Sequence, residues 1–402
     1  MRALFAACPG APAGASRLPG NYEAALAYLN GLPPSASFSP APVRNALKKM
    51  GNPQDGFYAV HVAGTNGKGS VCAMIAGALN RCGHATGLYL SPHITGPRDR
   101  ISLSGRKIPE ADLFRLFCTV RSFGFKLSYF EYLTVMALLW FKERGARFAV
   151  VEAGLGGRLD ATNVFKRSLA VITNISLEHA GALGGSLESI AAHKAGIIKP
   201  HCTTVTSAAG KALAVISRRV AAVSGRLVQA GPDKRFEARG ADIFYRAAAT
   251  AAAPPRLRLK GEYQLSNAAL AMKVLGTLRK EGYRVPQGAA AEGLASARLE
   301  GRFEILKGSG VKIIFDGAHN PAAMSALLAA LRAAGLARPV ALAAIMNDKS
   351  AAELIDLLGS GARALVFSGV NSPRAMRPAE LARMGRAAGY ETYAEQGPGK
   401  AF

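Results

Sequence analysis

Residues Gly64-Thr65-Asn66-Gly67-Lys68-Gly69-Ser70 follow directly on the apolar run Tyr58–Ala63. A strand running into a glycine-rich turn with a lysine and a hydroxyl is a cradle for phosphate. Glycines let backbone N–H groups approach anionic oxygens, and the N-terminus of the next helix adds a favourable dipole. Lys68 can reach terminal phosphates, and the Ser70 hydroxyl can approach Mg²⁺. The apolar stretch Val71-Cys72-Ala73-Met74-Ile75-Ala76 supplies the required helix. The spacing departs from the ordinary Walker pattern, with valine at 62 and the hydroxyl two residues after the lysine. A flexible loop explains a chance pair of glycines; it does not explain strand, GTNGKGS and helix in series.

Further charged groups stand at other strand ends. Phe148-Ala149-Val150-Val151 runs into Glu152, followed by Gly154-Leu155-Gly156-Gly157-Arg158-Leu159-Asp160. Val171-Ile172-Thr173-Asn174-Ile175 leads to Glu178 and His179. In open parallel sheets ligands gather at the carboxyl ends of strands. Taken singly, Glu152 could cap a loop and His179 could be an ordinary surface histidine. Together, at strand ends beside a phosphate loop, they favour Mg²⁺, with histidine an unusual addition to oxygen ligands. Lys194 closes a helix that Ser186 can cap and Gly196 can stop, so on the residues alone it is a helix-end lysine complementing the dipole. Farther on, Val311–Phe315 ends at Asp316-Gly317-Ala318-His319-Asn320-Pro321. Asn320 and Pro321 suit a helix start, which leaves Asp316 and His319 for chemistry. Met346-Asn347-Asp348-Lys349 takes the same position one strand later, and a site facing the first domain across a cleft is expected.

The elements that must position these groups are α/β. Strands are expected at 58–63, 148–152 and 169–175, alternating with helices such as 131–144 and 186–195. A hairpin-rich insertion is expected over 225–260 with a loop at 247–255, then a helix at 264–281 and a featureless junction at 285–298. A second α/β series follows, with strands at 311–315, 339–345 and 363–368 and helices at 321–334, 350–358 and 378–388. The chain of 402 residues is long enough for two domains and is half hydrophobic, which excludes general disorder. No apolar run approaches the roughly 20 residues of a membrane span. Residues 1–20 are expected to form a disordered leader. Five scattered cysteines without a CxxC pair indicate neither a disulfide framework nor a zinc site, and a reducing cytoplasm fits. The net charge of +24 is spread without interleaved aromatics, which suits anionic small substrates rather than nucleic acid.

GTNGKGS, SPH at 91–93, EAGLGGRLDATN at 152–163, HKAGI at 193–197 and DGAHNP at 316–321 occur in that order. Together they resemble the folylpolyglutamate synthase/dihydrofolate synthase family of the Mur ligase superfamily, over roughly residues 21 to 390. The resemblance implies an N-terminal P-loop-type parallel-sheet ATPase domain (21–292) and a smaller Rossmann-like C-terminal α/β domain (298–402). It implies ATP-dependent amide formation between a pteroate or folate carboxylate and the amino group of L-glutamate. Asn66, Gly67, Lys68, Gly69, Ser70, Asn267, Arg302 and Asp316 would then contact ATP. Ser91, Glu152 and His179 would hold Mg²⁺, with two ions expected. Lys194 would match the family's carbamylated lysine, replacing the helix-end reading, and His319 would lie near the γ-phosphate or glutamate. Lys68, Lys194 and His319 are thus the candidate catalytic residues. Ser128, Tyr129, Phe130, Glu131, Leu159, Asp160 and Ala161 match pteroate-binding stretches.

The chain departs from the family pattern at Glu178, where an aspartate is usual, and at Pro97-Arg98-Asp99. Similar proteins continue for about 30 residues more, so the second domain is expected to lack its last elements. The expected partners are ATP, L-glutamate, dihydropteroate and folates, with no nucleic acid and no membrane, on a monomer. An inactive or regulatory ATP-binding paralogue is the alternative. A cell-wall Mur ligase is less suited, because only 63 residues precede Gly64.

Overall fold

The computed structural model describes residues 20–33, 39–177, 180–246, 254–308, 310–336, 338–347, 350–372, 374–397 and 399. The expected leader, apart from residue 20, and most of the expected 247–255 loop lie outside these, as do Glu178, His179, Asp348 and Lys349. The chain forms two compact units. The first comprises residues 1–175, 185–231 and 270–294; the second comprises 176–184, 232–269 and 295–402.

The first unit is built on eight strands: β1 (Tyr58–Ala63), β2 (Thr86–Tyr89), β3 (Ile101–Leu103), β4 (Arg106–Lys107), β5 (Phe148–Glu152), β6 (Leu169–Ile172), β7 (Thr203–Thr206) and β8 (Arg226–Gln229). Their order is β4-β3-β2-β5-β1-β6-β7-β8. Neighbours from β2 to β8 run parallel, while β3 and β4 form an antiparallel edge. All of β5 and β6 is buried, and all of β1 except Tyr58. Such unbroken apolar burial requires cover on both faces, as parallel sheets have.

That cover comes from α1 (Tyr22–Asn30), α2 (Ala41–Lys49), α3 (Lys68–Arg81), α4 (Glu110–Ser122), α5 (Tyr129–Glu143), α7 (Leu187–Ala195) and α8 (Gly210–Ala222), whereas the short α6 (Ala180–Leu183) belongs to the second unit. One core gathers Leu47, Tyr89, Phe117, Tyr132, Met136 and Phe141. Another gathers Ala63, Ile172, Ile197, Ile216 and Val220. Helix α5 starts with the Ser128 N–H donating to Glu131 Oε2 at 2.7 Å, which spends the Glu131 carboxylate on the helix start. Because β1 lies between β5 and β6, the chain leaves it on one side through α3 and returns on the other. The carboxyl ends of these three strands form the switch point where α/β sheets place ligands.

In the second unit, β9 (Phe236–Arg239) and β10 (Asp242–Tyr245) form the hairpin expected in the 225–260 insertion. Helix α9 (Gln264–Lys280) contributes residues to both units, and α10 (Gln287–Ala295) occupies the stretch expected to be featureless. Five of the nine α10 residues are alanine or leucine, which are strong helix formers. Then β11 (Glu304–Gly308) and β12 (Val311–Phe315) pair antiparallel as a separate ribbon. The expected strand at 311–315 therefore pairs with its sequence neighbour and not with the parallel strands that follow. Those are β13 (Val340–Ala343), β14 (Ala364–Ser368) and β15 (Thr392–Glu395). They alternate with α11 (Pro321–Ala333), α12 (Ala351–Gly361) and α13 (Pro378–Ala387). Leu328, Leu331, Ile355, Leu358, Phe367 and Leu381 fill their core.

Candidate active site

The phosphate loop leaves β1 at Gly64, whose φ of +150° is in the region that favours glycine. A Cβ there would collide with Thr173 Oγ1, so the loop can lie against the end of β6 only without a side chain. Three hydrogen bonds fix it there. Thr65 N–H donates to Asn174 O and Asn66 N–H to Asn174 Oδ1, each at 2.9 Å; Thr173 Oγ1 donates to Asn66 O at 2.7 Å. Gly67, at φ +83°, then turns the chain into α3. No side chain caps this 14-residue helix, and the first N–H groups of a helix are donors suited to an anion. Lys68 Nζ bends back to Gly64 O at 3.0 Å and Thr65 O at 2.9 Å, a position over the loop from which it can swing to a phosphate. Gly69 and Ser70 are buried in the first turn.

Two charged side chains reach this edge from elsewhere. Lys194, on α7, is 2% exposed and donates to Gly64 O at 2.7 Å. That burial and the bond to Gly64 depart from the helix-end reading made on the residues alone. Glu152 ends β5 and is 4% exposed, with Oε2 accepting the Ser91 N–H at 2.9 Å. The structure thus brings Lys68, Lys194 and the loop together, and Glu152 with Ser91. His179 lies outside the described residues. Among the described residues no cluster of three or more His, Cys, Asp or Glu side chains stands ready for a metal. Oxygen donors from a buried carboxylate and a neighbouring serine suit Mg²⁺.

The stretches 128–131 and 159–161 meet in the same unit. A Cβ at Gly154 would stand 2.9 Å from the Phe130 ring and 3.3 Å from Asp160 Oδ2, so the ring and the carboxylate converge on that glycine. Phe130 also stacks on Tyr89, with centroids 5.8 Å apart. Asp160 is buried, which pushes its carboxyl pKa up; hydrogen bonds from Leu155 N–H at 2.7 Å, Thr162 N–H at 2.9 Å and Thr162 Oγ1 at 2.5 Å oppose that shift. The single Thr162 hydroxyl proton goes to Asp160, so His61 Nε2 must donate to Thr162 Oγ1 across 2.8 Å. Burial in mid-β1, reinforced by Lys199, drives the His61 pKa down to about 3 and keeps it neutral. Lys199 holds the far end of the loop by donating to Asn163 Oδ1, and burial plus Arg44 and Arg219 lowers its own pKa to about 8. Leu159 is exposed, whereas Ala161, Ser128 and Glu131 are buried.

In the second unit, Asp316 follows β12. Its carboxylate accepts Phe303 N–H at 2.7 Å and Ala318 N–H at 2.8 Å. Burial raises its pKa, opposed by those N–H groups and by Arg302 and His319. Arg302 Nη1 donates to Gly301 O at 2.9 Å, while Gly317 N–H donates to the same oxygen at 2.9 Å. Asp316 and Arg302 both influence Tyr263, a half-buried phenol whose pKa is raised mainly by desolvation. His319 is exposed, with Nδ1 2.8 Å from Gly317 O. Asn320 Oδ1 caps α11 by accepting Ala323 N–H at 2.9 Å, and Pro321 follows it. Asn267 is buried, its Nδ2 donating to Gln264 Oε1 at 2.8 Å on the first turn of α9.

Sequence reasoning missed Thr173, Asn174, Thr162 and His61. Thr173-Asn174 directly at a strand end was a usable signal for the first two, while His61 reads as an ordinary member of an apolar strand. No described helix is long and apolar enough to cross a membrane.

Comparison with known proteins follows the same lines. Residues 62–275 match the Mur ligase middle domain, and 301–399 match the Mur ligase, glutamate ligase domain. Folylpolyglutamate synthase of Lacticaseibacillus casei is 32% identical over 356 residues, covering 84% of this chain and 83% of that protein. Dihydrofolate synthase/folylpolyglutamate synthase of Escherichia coli is 35% identical over 303 residues, covering 74% and 70%. A probable bifunctional folylpolyglutamate synthase/dihydropteroate synthase of Haloferax volcanii is 34% identical over 294 residues, and the match spans only 35% of that longer protein. The Mycobacterium tuberculosis folylpolyglutamate synthase structure with ADP and AMPPCP superposes with a TM-score of 0.82 at 28% identity, covering 95% of this chain and 90% of that one. The chain belongs to the Mur ligase family and, within it, to the folylpolyglutamate synthase/dihydrofolate synthase group of ATP-dependent ligases.

Proposed function

We propose that this chain joins L-glutamate to dihydropteroate and to tetrahydrofolate polyglutamates at the expense of ATP. The observation that carries this reading is the uncapped start of α3 with Lys68, set beside buried Lys194 and Glu152, in a chain that matches a glutamate ligase domain.

A carboxylate is a poor electrophile. Attack of its oxygen on the γ-phosphorus breaks the bond to ADP and leaves an acyl phosphate. The glutamate amine then adds to the acyl carbon, loses a proton, and phosphate departs. Lys68, whose amine lies against the loop carbonyls, and the α3 N–H groups would offset charge on the transferring phosphoryl group. Glu152 and Ser91, with His179, are the residues that would hold Mg²⁺, which when bound neutralises phosphate charge and polarises the P–O bond. Lys194 is the residue that would carry a carbamate, turning a buried cation into an anion beside the loop. Its short bond to Gly64 O leaves an N–H in place after that change, because a carbamate nitrogen keeps one hydrogen. Asp316 and Arg302 would contact the nucleotide and His319 the γ-phosphate or glutamate.

The experiment is phosphate release from ATP and Mg²⁺ with L-glutamate, run in parallel with dihydropteroate and tetrahydrofolate. Turnover with both supports the dual activity; tetrahydrofolate alone restricts it to polyglutamylation. Intact-protein mass spectrometry with and without ¹³C-bicarbonate trapping reads Lys194 carbamylation independently of turnover.

A further inference from the structure

Three cations gather in the first unit with no carboxylate among them. Lys199 lies in the connection from α7 to the start of β7, Arg219 in the last turn of α8 and Arg44 on α2. Lys199 and Arg44 converge on one buried residue, Asn163. Lys199 Nζ donates to its Oδ1 at 2.5 Å, and Arg44 Nη2 donates to its backbone O at 2.8 Å. Arg219 Nη2 donates to Ile198 O, next to Lys199, across 3.4 Å. Among the described residues each head group makes only that one hydrogen bond, although an ammonium has three donors and a guanidinium five. Lys199 is half-buried and both arginines are exposed. Counter-charge is missing from the elements themselves. Helices α2 and α8 contain no acidic residue, and neither does the 196–202 connection. The carboxylates on the adjoining segments are spent. Asp55 pairs with Lys166 at 2.9 Å, Glu188 with Lys211 at 3.4 Å, and Asp160 accepts from Leu155 and Thr162. Burial, then Arg44, then Arg219 bring the Lys199 pKa down to about 8, because charging an amine beside two cations is costly.

Structural duties account for part of this. Arg219 suits the carboxyl end of α8, and the bonds to Asn163 tie the end of the 154–163 loop to α2 and to the α7–β7 connection. They do not account for three positive charges drawn to one place with most of their donors unused. We infer that Lys199, Arg44 and Arg219 form a site for a small tetrahedral oxyanion of the phosphate class. The ammonium supplies a point charge and the guanidinia supply planar pairs of donors, a combination suited to phosphate oxygens. The site is separate from the phosphate loop. That loop leaves the carboxyl end of β1, whereas Lys199 precedes the amino end of β7, which runs parallel to β6 and β1 in the same sheet. An anion there links α2, α8 and the two connections through one ligand. The inference does not rest on the proposed function. Free inorganic phosphate and the phosphoryl group of a larger molecule share this chemistry, and the test separates them.

The test reads Lys199 itself, so that phosphate bound at the phosphate loop does not interfere. Wild type, R44Q and R219Q are labelled with a trace of acetic anhydride at about pH 7, where only the uncharged amine reacts. Labelling is run in inorganic phosphate, in glycerol 3-phosphate and in chloride of equal ionic strength. Peptide mass spectrometry gives the acetylation rate of Lys199, with exposed Lys211 as the internal reference and thermal unfolding run on the same samples. A bound oxyanion favours the charged amine, and each unit of rise in its pKa cuts the reactive fraction about tenfold. Phosphate is therefore expected to slow Lys199 labelling about tenfold in wild type, and less than about threefold in R44Q or R219Q. Slowing by inorganic phosphate alone identifies the free ion as the ligand; slowing by glycerol 3-phosphate as well identifies a phosphoryl group. If R44Q does not fold, R219Q, an exposed side chain with one long bond, carries the same expectation. No slowing in wild type, the same slowing in folded R219Q, or equal slowing at Lys211 overturns the site.

Discussion

The two charged strand ends differ in how firmly they are built. At the end of β1, Lys194 and Glu152 are 2% and 4% exposed, and three bonds from Thr65, Asn66 and Thr173 fix the loop backbone. After β12, Asp316 is half-buried and His319 exposed, and the carboxylate is held by backbone N–H groups two and thirteen positions away. β1 lies inside an eight-stranded sheet, whereas β12 has one partner. The first edge is held by buried side chains and a bonded backbone; the second presents groups on a two-stranded ribbon whose positions depend on a few local bonds.

Substitutions can break that contrast. The largest expected effect is at Lys68: K68M should lower kcat by about 10³-fold with little change in folding, because it removes charge offered to the transferring phosphoryl group. Steady-state kinetics with circular dichroism checks this. Next is Gly64→Ala, whose Cβ meets Thr173 Oγ1 at an unfavourable φ. It should cost about 3 kcal/mol and displace the loop, read by urea unfolding and by ATP affinity. Asp316→Ala strips the acceptor from two backbone donors, so it should cost about 2 kcal/mol, while Asp316→Asn, which keeps one acceptor, should cost less. A result in which Gly64→Ala is harmless and Asp316→Ala is severe would reverse the comparison.

A pH test sharpens the account of the sheet. The His61 pKa is about 3 in the folded protein, below its ordinary 6.5, so the unfolded chain binds the extra proton between those values. Stability from a neutral His61 is complete above pH 6.5 and is lost as pH falls, at about 1.4 kcal/mol per unit. Urea unfolding at pH 7 and pH 5 should show the advantage of wild type over H61Q shrinking by about 2 kcal/mol. The smallest effect is at the α11 cap, where Asn320→Ala should cost about 1 kcal/mol in thermal unfolding.

Much of both strand ends was legible in sequence, because the mostly apolar, strand-like runs at 148–151 and 311–315 stop abruptly at Glu152 and Asp316. The loop was legible for the same reason, and the cap at Asn320 because Pro321 follows it. Lys194 was not legible from its own helix. Its burial depends on the Gly64 carbonyl 130 positions earlier. Thr162 and His61 are 101 positions apart, and only the β1 packing joins them. Helix α10 was hidden because its alanines and glycines carry no strong amphipathic period. β12 was legible as a strand, but its pairing with β11 was not, since its apolar residues are largely exposed or half-buried.

The most direct test of the central claim is phosphate release with L-glutamate and both dihydropteroate and tetrahydrofolate, wild type against K68M. Glutamate-dependent release with wild type, lost about 10³-fold in K68M, is the predicted result. No glutamate-dependent release from folded wild type that still binds ATP would contradict it.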